Sequence, residues 1–177
     1  MKKTPFLLAI MLTSSLLVTA CNRGSSDNPA DSGGTATGSG TMSATVDGQS
    51  WTATSGTVFA TYSTNTLTVI GSQVQGTSAS TFNITINNVT GTGEFRLGFP
   101  GVGGAQGIAG YGIGTGAGSN AQAWVTTITE TGTVNITRLD VPNKTVAGTF
   151  SFRCRSTNNA TPEIRNITNG RFEARWQ

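Results

Sequence analysis

TFNITINNV, residues 81–89, decides how the rest of the chain is read. Phe82, Ile84 and Ile86 fall on one side of an extended segment, and Thr81, Asn83, Thr85 and Asn87 on the other. Successive side chains of an extended chain point to opposite faces, so a period of two marks a half-buried β-strand.

The same alternation recurs along the chain. EFRLGF sets Phe95, Leu97 and Phe99 against Glu94, Arg96 and Gly98. TFSFRCR aligns Phe150, Phe152 and Cys154 and leaves Ser151, Arg153 and Arg155 outward. RFEARW buries Phe172, Ala174 and Trp176 and exposes Arg171, Glu173 and Arg175. Weaker strands are predicted over 43–46, 50–54, 57–62, 67–72, 123–129, 132–139 and 163–168. No apolar i, i+3, i+4, i+7 pattern lasts a helical length. Asp47-Gly48 has the composition of a type I′ hairpin turn, and 63–65, 140–143 and Asn169-Gly170 supply further breaks. About ten short antiparallel strands predict an all-β fold over residues 41–177, an antiparallel two-sheet β-sandwich or a flattened barrel.

The N-terminus carries the information about location. Lys2 and Lys3 precede the apolar stretch PFLLAIMLTSSLLV, and LVTAC ends it at residue 21. This reads as a secretory signal over residues 1–20, too short and interrupted for a comfortable spanning helix. VTAC resembles the bacterial lipobox. That resemblance implies diacylglycerol on the Cys21 thiol, cleavage before the cysteine and acylation of the new amine. Two or more chains anchor stably where one does not. Asn22 stands where an aspartate would retain the product at the inner membrane in some bacteria, so the outer membrane or cell surface is favoured. Residues 21–40 then hold the lipidated cysteine and a Gly/Ser/Asp-rich linker, NRGSSDNPADSGGTATGSG, with no face to bury. Such a tether reaches roughly 25 Å.

Removing the signal lowers the formal charge from +3 to 9 basic minus 8 acidic residues, or +1. With no basic run and no basic–aromatic interleaving, no nucleic-acid partner is expected. The chain has no histidine, which removes His-dependent triads and most zinc sites. No cofactor and no metal is implied. With Cys21 lipidated, Cys154 is the one remaining thiol, and its alignment with Phe150 and Phe152 predicts burial.

GVGGAQGIAGYGIGTGAGS, residues 101–119, has nine glycines in nineteen residues. No frame has glycine at i, i+2 and i+5 between a strand and a helix, and no Gly-Lys-Ser/Thr follows, so a nucleotide site is excluded. The run reads as a long loop at one end of the sandwich, or else as a distorted or edge strand. A recognition surface is expected there, with Tyr111 and Ile113 as contacts. Its ligand would be a glycan or a protein.

The carboxylates Asp47, Glu94, Glu130, Asp140, Glu163 and Glu173 are too few and too scattered to suggest a catalytic pair. If the strands at 149–155 and 171–176 are neighbours, Arg153, Arg155, Arg171 and Arg175 share one basic outer face suited to headgroup phosphates or an acidic glycan. Trp51, Trp124 and Trp176 are expected in the core, and five Asn-x-Thr triplets reflect an Asn/Thr-rich chain.

MSATVDGQSWTAT, VPNKTVAGTFSF and ITNGRFEARW together resemble a family of uncharacterised bacterial lipoproteins. Those proteins open on a strand–Asp-Gly–Trp hairpin and close on a Thr-Asn-Gly-x-Phe hairpin. The resemblance implies a lipid-anchored β-sandwich and brings no catalytic residues; Cys154 departs from it, at a place where a small or aliphatic residue is expected. The function expected is a membrane-anchored, non-enzymatic binding or interaction module. The alternatives are a structural envelope component and a carboxylate-dependent glycan hydrolase. Oligomeric state and strand order are left open.

Overall fold

A computed structural model describes residues 40–116, 121–158 and 162–176. The signal, Cys21 and most of the linker lie outside the described residues. The domain is all-β, with no helix among the described residues.

Eleven strands form it: β1 (Thr41–Val46), β2 (Gln49–Thr52), β3 (Val58–Ser63), β4 (Thr66–Gln75), β5 (Ser78–Ile86), β6 (Gly93–Leu97), β7 (Gly107–Thr115), β8 (Gln122–Val125), β9 (Gly132–Asp140), β10 (Thr145–Ser156) and β11 (Ile164–Arg175). Hydrogen bonding runs in the order β2-β1-β11-β10-β9-β6-β7-β5-β4-β3, and β8 joins β10 to β7. The strands β7, β8, β10, β9 and β6 therefore close a ring. All pairings are antiparallel except a single parallel contact, Leu97 with Gly107.

Two layers result, joined along the side where β6 and β8 bridge them. Ring pairs span the interior: Trp51 meets Phe82 edge-on at 4.6 Å, Phe82 meets Phe150 at 5.7 Å and Phe152 at 6.1 Å, and Tyr62 meets Trp176 at 5.3 Å. Off-axis aromatic pairs of this kind add to the burial energy of the rings themselves. Phe82, Ile84, Ile86 and Cys154 are fully buried, and all three tryptophans are buried too.

Turn chemistry sets the registers. Asp47 and Gly48 both have positive φ, 49° and 83°, the backbone of the predicted type I′ turn. Asp47 also ties that hairpin to β11, because its carboxylate accepts from the Asn166 amide at 2.7 Å and from Arg165 at 2.9 Å.

Three expectations are corrected. The segments 163–168 and 171–176 are one strand, β11, and Asn169-Gly170 is a bulge inside it rather than a closing hairpin. Asn169 takes φ 53°, and the β10–β11 register shifts at Phe150/Phe152. Gly170 is needed because a Cβ there would lie 2.4 Å from the Phe150 ring. The strand expected at 123–129 ends at Val125. The glycine run is not a long loop: residues 107–115 are a strand, as its alternative reading had it, but an inner one, β7, flanked by β5 on one side and β8 on the other.

Candidate functional site

The first glycines of that run build a compact loop. Phe99-Pro100-Gly101-Val102 is a β-turn closed by the Val102 amide on the Phe99 carbonyl at 3.1 Å, with Gly101 at φ 81°. Proline at the second position and a positive-φ glycine at the third define a type II turn. The next turn, Val102-Gly103-Gly104-Ala105, is closed at 3.1 Å and has both central glycines at positive φ, 62° and 75°. Gly98 and Gln106 then bond to Gly107 and Arg96, so the loop starts and ends on the sheet.

This geometry moves Phe99. Simple alternation puts it in the core beside Phe95 and Leu97, yet β6 stops at Leu97 and Phe99 is 54% exposed. Pro100 holds the chain in a turn that carries the ring away from the interior. The Phe-Pro-Gly triplet was the available signal, and period-two counting passed over it.

A second loop, 126–131, faces the first. Its centre is Glu130, which is buried although charged. Its Oε2 accepts from Thr129 at 2.6 Å and from the Thr127 hydroxyl, and Arg155 holds both oxygens, Nε at 3.2 Å and Nη2 at 3.0 Å. The Thr127 amide donates to the Glu130 carbonyl at 2.7 Å. Hydrogen bonds from Arg155, then from Thr127 and Thr129, pull the carboxyl down to about 2, against the opposing effect of burial. With Thr127 and Thr129 both turned towards Glu130, Ile128 between them is left outward, 66% exposed.

The two loops enclose a cleft of about 90 Å³ lined by Arg96, Leu97, Phe99, Val102, Thr127 and Ile128, among others. Phe99, Val102 and Ile128 are three of the six exposed large hydrophobic residues among the described residues. They form an apolar rim over a floor of backbone and threonine. Its chemistry suits contact with an apolar or amphipathic surface; no titratable pair faces into it.

The expected contact residues lie elsewhere. Tyr111 is buried, tilted against Phe82 at 4.9 Å and Trp124 at 5.9 Å, because β7 presents it to the interior. Burial raises its phenol above the ordinary value. Ile113 is partly buried against the same core. Tyr111 is thereby closed to a ligand. Of the predicted basic face, Arg153, Arg171 and Arg175 do point outward from β10 and β11, whereas Arg155 is committed to Glu130.

Carboxylates converge in one other place. Asp47 and Glu163 share Arg165, at 2.9 and 3.5 Å, and the Arg165 guanidinium lies 4.7 Å over the Trp124 ring. Burial opposes ionisation of Asp47, but the Asn166 amide and Arg165 outweigh it and hold the carboxyl below its usual range. An acid fixed in its ionised form cannot serve as a proton donor near neutral pH. Among the described residues no group of three or more metal-ligating side chains assembles.

No curated protein and no solved structure matches the chain. One family does, over residues 38–174, a span that begins before the first strand and stops one residue short of the end of the last. The chain therefore belongs to the family described as a domain of unknown function, DUF6252.

Proposed function

We propose that this domain is a non-enzymatic recognition module, carried on a lipid anchor at the outer face of the cell envelope, whose partner docks on the rim formed by Phe99, Val102 and Ile128. The supporting observation is that three large apolar side chains are held in solvent by two loops that are themselves pinned. Tight turns fix one loop, and the Glu130–Arg155 pair fixes the other. Apolar groups held outward in a cluster mark interaction sites, and a pre-set geometry lowers the ordering cost of binding. A glycan or protein ligand fits such a rim. The test is a thermal-shift series of the native chain against soluble glycan fragments, phospholipids and apolar peptides, repeated with Phe99→Ser/Ile128→Ser. A ligand at a hundred times its Kd stabilises by about 2.7 kcal/mol. A shift in the native chain that the double variant loses supports the reading, and a flat response across every class sinks it.

A second reading, a structural envelope component assembled through sheet edges, draws on β3. That strand ends the hydrogen-bonding order, carries no charged residue and exposes Phe59. Uncharged edges are templates for pairing. Under this reading the chain self-associates in sedimentation runs and Phe59→Lys returns it to monomer.

A further inference from the structure

Charge is distributed unevenly between the two layers. No Asp, Glu, Lys or Arg occurs from Gly48 to Gly93 or from Leu97 to Thr129. The layer made of β3, β4, β5 and β7 is therefore without formal charge. Its outer face carries hydroxyls and amides around the exposed Phe59, with Thr68 bonded to Thr85 at 3.1 Å and Ser72 to Thr81 at 2.9 Å.

The opposite layer carries the arginines. Thr149 pairs with Arg171, Ala147 with both Arg138 and Glu173, and Thr145 with Arg175, so Arg138, Arg171 and Arg175 stand on one outer face with Arg153 further along β10. These four arginines are exposed. Glu173 pairs with Arg138 at 2.6 Å, while Glu130, Asp47 and Glu163 are engaged with Arg155 and Arg165. Arg153 and Arg171 have no ion-pair partner among the described residues. Glu94 and Arg96 on β6 lie in cross-strand rows of the same face and offset each other, so Arg153, Arg171 and Arg175 leave it basic.

The spacing says what the face fits. Arg153 lies four residues along the strand from Thr149, the partner of Arg171, which places it roughly 13 Å away. Arginines so dispersed cannot close on one phosphate, but they match a planar array of them. The chain also enters the domain on this layer: Thr41, at the start of β1, pairs with Glu173. We propose that the outer face of β9, β10 and β11 lies against an anionic phospholipid surface, with Arg153 and Arg171 as its principal contacts and the uncharged layer turned away from the membrane.

Each basic side chain at an anionic surface contributes about fivefold in affinity. The full chain carrying Cys21→Ser, which removes any contribution of the lipid, is floated with phosphatidylcholine vesicles with and without phosphatidylglycerol. Tighter binding to the phosphatidylglycerol vesicles is expected, and Arg153→Gln/Arg171→Gln should weaken it about twentyfold. Arg153→Lys/Arg171→Lys keeps the charge and should bind as the unsubstituted chain does, which separates loss of charge from loss of fold. Equal binding by the Gln variant, or no preference for phosphatidylglycerol, overturns the proposal. So does capture of heparin by the two arginines with no vesicle binding, which would assign the face to an acidic glycan.

Discussion

Arg155 holds Glu130 with two nitrogens at once, Nε on one carboxylate oxygen at 3.2 Å and Nη2 on the other at 3.0 Å. The carboxylate is buried while the guanidinium stays partly in water, and the pair joins the loop carrying Ile128 to strand β10. Two-point contact fixes an orientation as well as a distance.

Replacing Glu130 with Gln leaves an amide facing the guanidinium and removes the charge that Thr127 and Thr129 also serve. The expected result is a thermal midpoint lower by about 5 °C, with Ile128 less well fixed. The pH dependence follows from the lowered pKa. The Glu130 carboxyl titrates at about 2 when folded and near 4.5 otherwise, so its contribution is complete above the higher value and disappears as pH falls towards the lower one. Acid melts of the native chain should lose midpoint across that window, and Glu130→Gln should lose less.

Two glycines separate packing from openness. Alanine at Gly170 would drive a methyl into the Phe150 ring and should cost about 1–3 kcal/mol in denaturant melts. Alanine at Gly114, on β7, meets nothing within 4 Å and should be neutral or slightly stabilising. Similar losses at both positions would contradict the placement of β7.

Cys154 should be inert in the folded protein. Burial pushes its thiol up to about 12, so thiolate is scarce at neutral pH. In the Cys21→Ser background, a disulfide reagent should react at the rate at which the domain opens, and quickly only in denaturant. Full reaction within the mixing time under native conditions would refute the burial.

Lipidation has its own readout. Cys21→Ser should abolish incorporation of labelled acyl chains and release most of the protein from membranes in the cell. Continued acyl labelling would rule out Cys21 as the acceptor.

Much of the fold was legible because one force wrote it. Alternating apolar side chains bury one face of each strand, and Phe82, Phe150, Phe152, Phe172 and Trp176 all lie where their period places them. What failed was chemistry that overrides the period. Asn169-Gly170 has the composition of a turn, yet the strand continues through it as a bulge because Phe150 needs the space over Gly170. Pro100 diverts Phe99 from the core to the rim. The glycines of β7 hide a central strand, since a strand between two neighbours needs hydrogen bonds from its backbone and little from its outward side chains. The candidate site was the least legible part. Ile128 becomes exposed through an ion pair, its carboxylate buried, between residues 25 positions apart, and no local pattern encodes that.

The most direct test of the rim is a photo-crosslinking residue placed at position 128 in intact cells, with the same residue at Thr61 on the uncharged face as control. The account predicts one discrete adduct from position 128, lost when Phe99 is changed to Ser, and none from position 61. No adduct from position 128, or the same products from both positions, would contradict it.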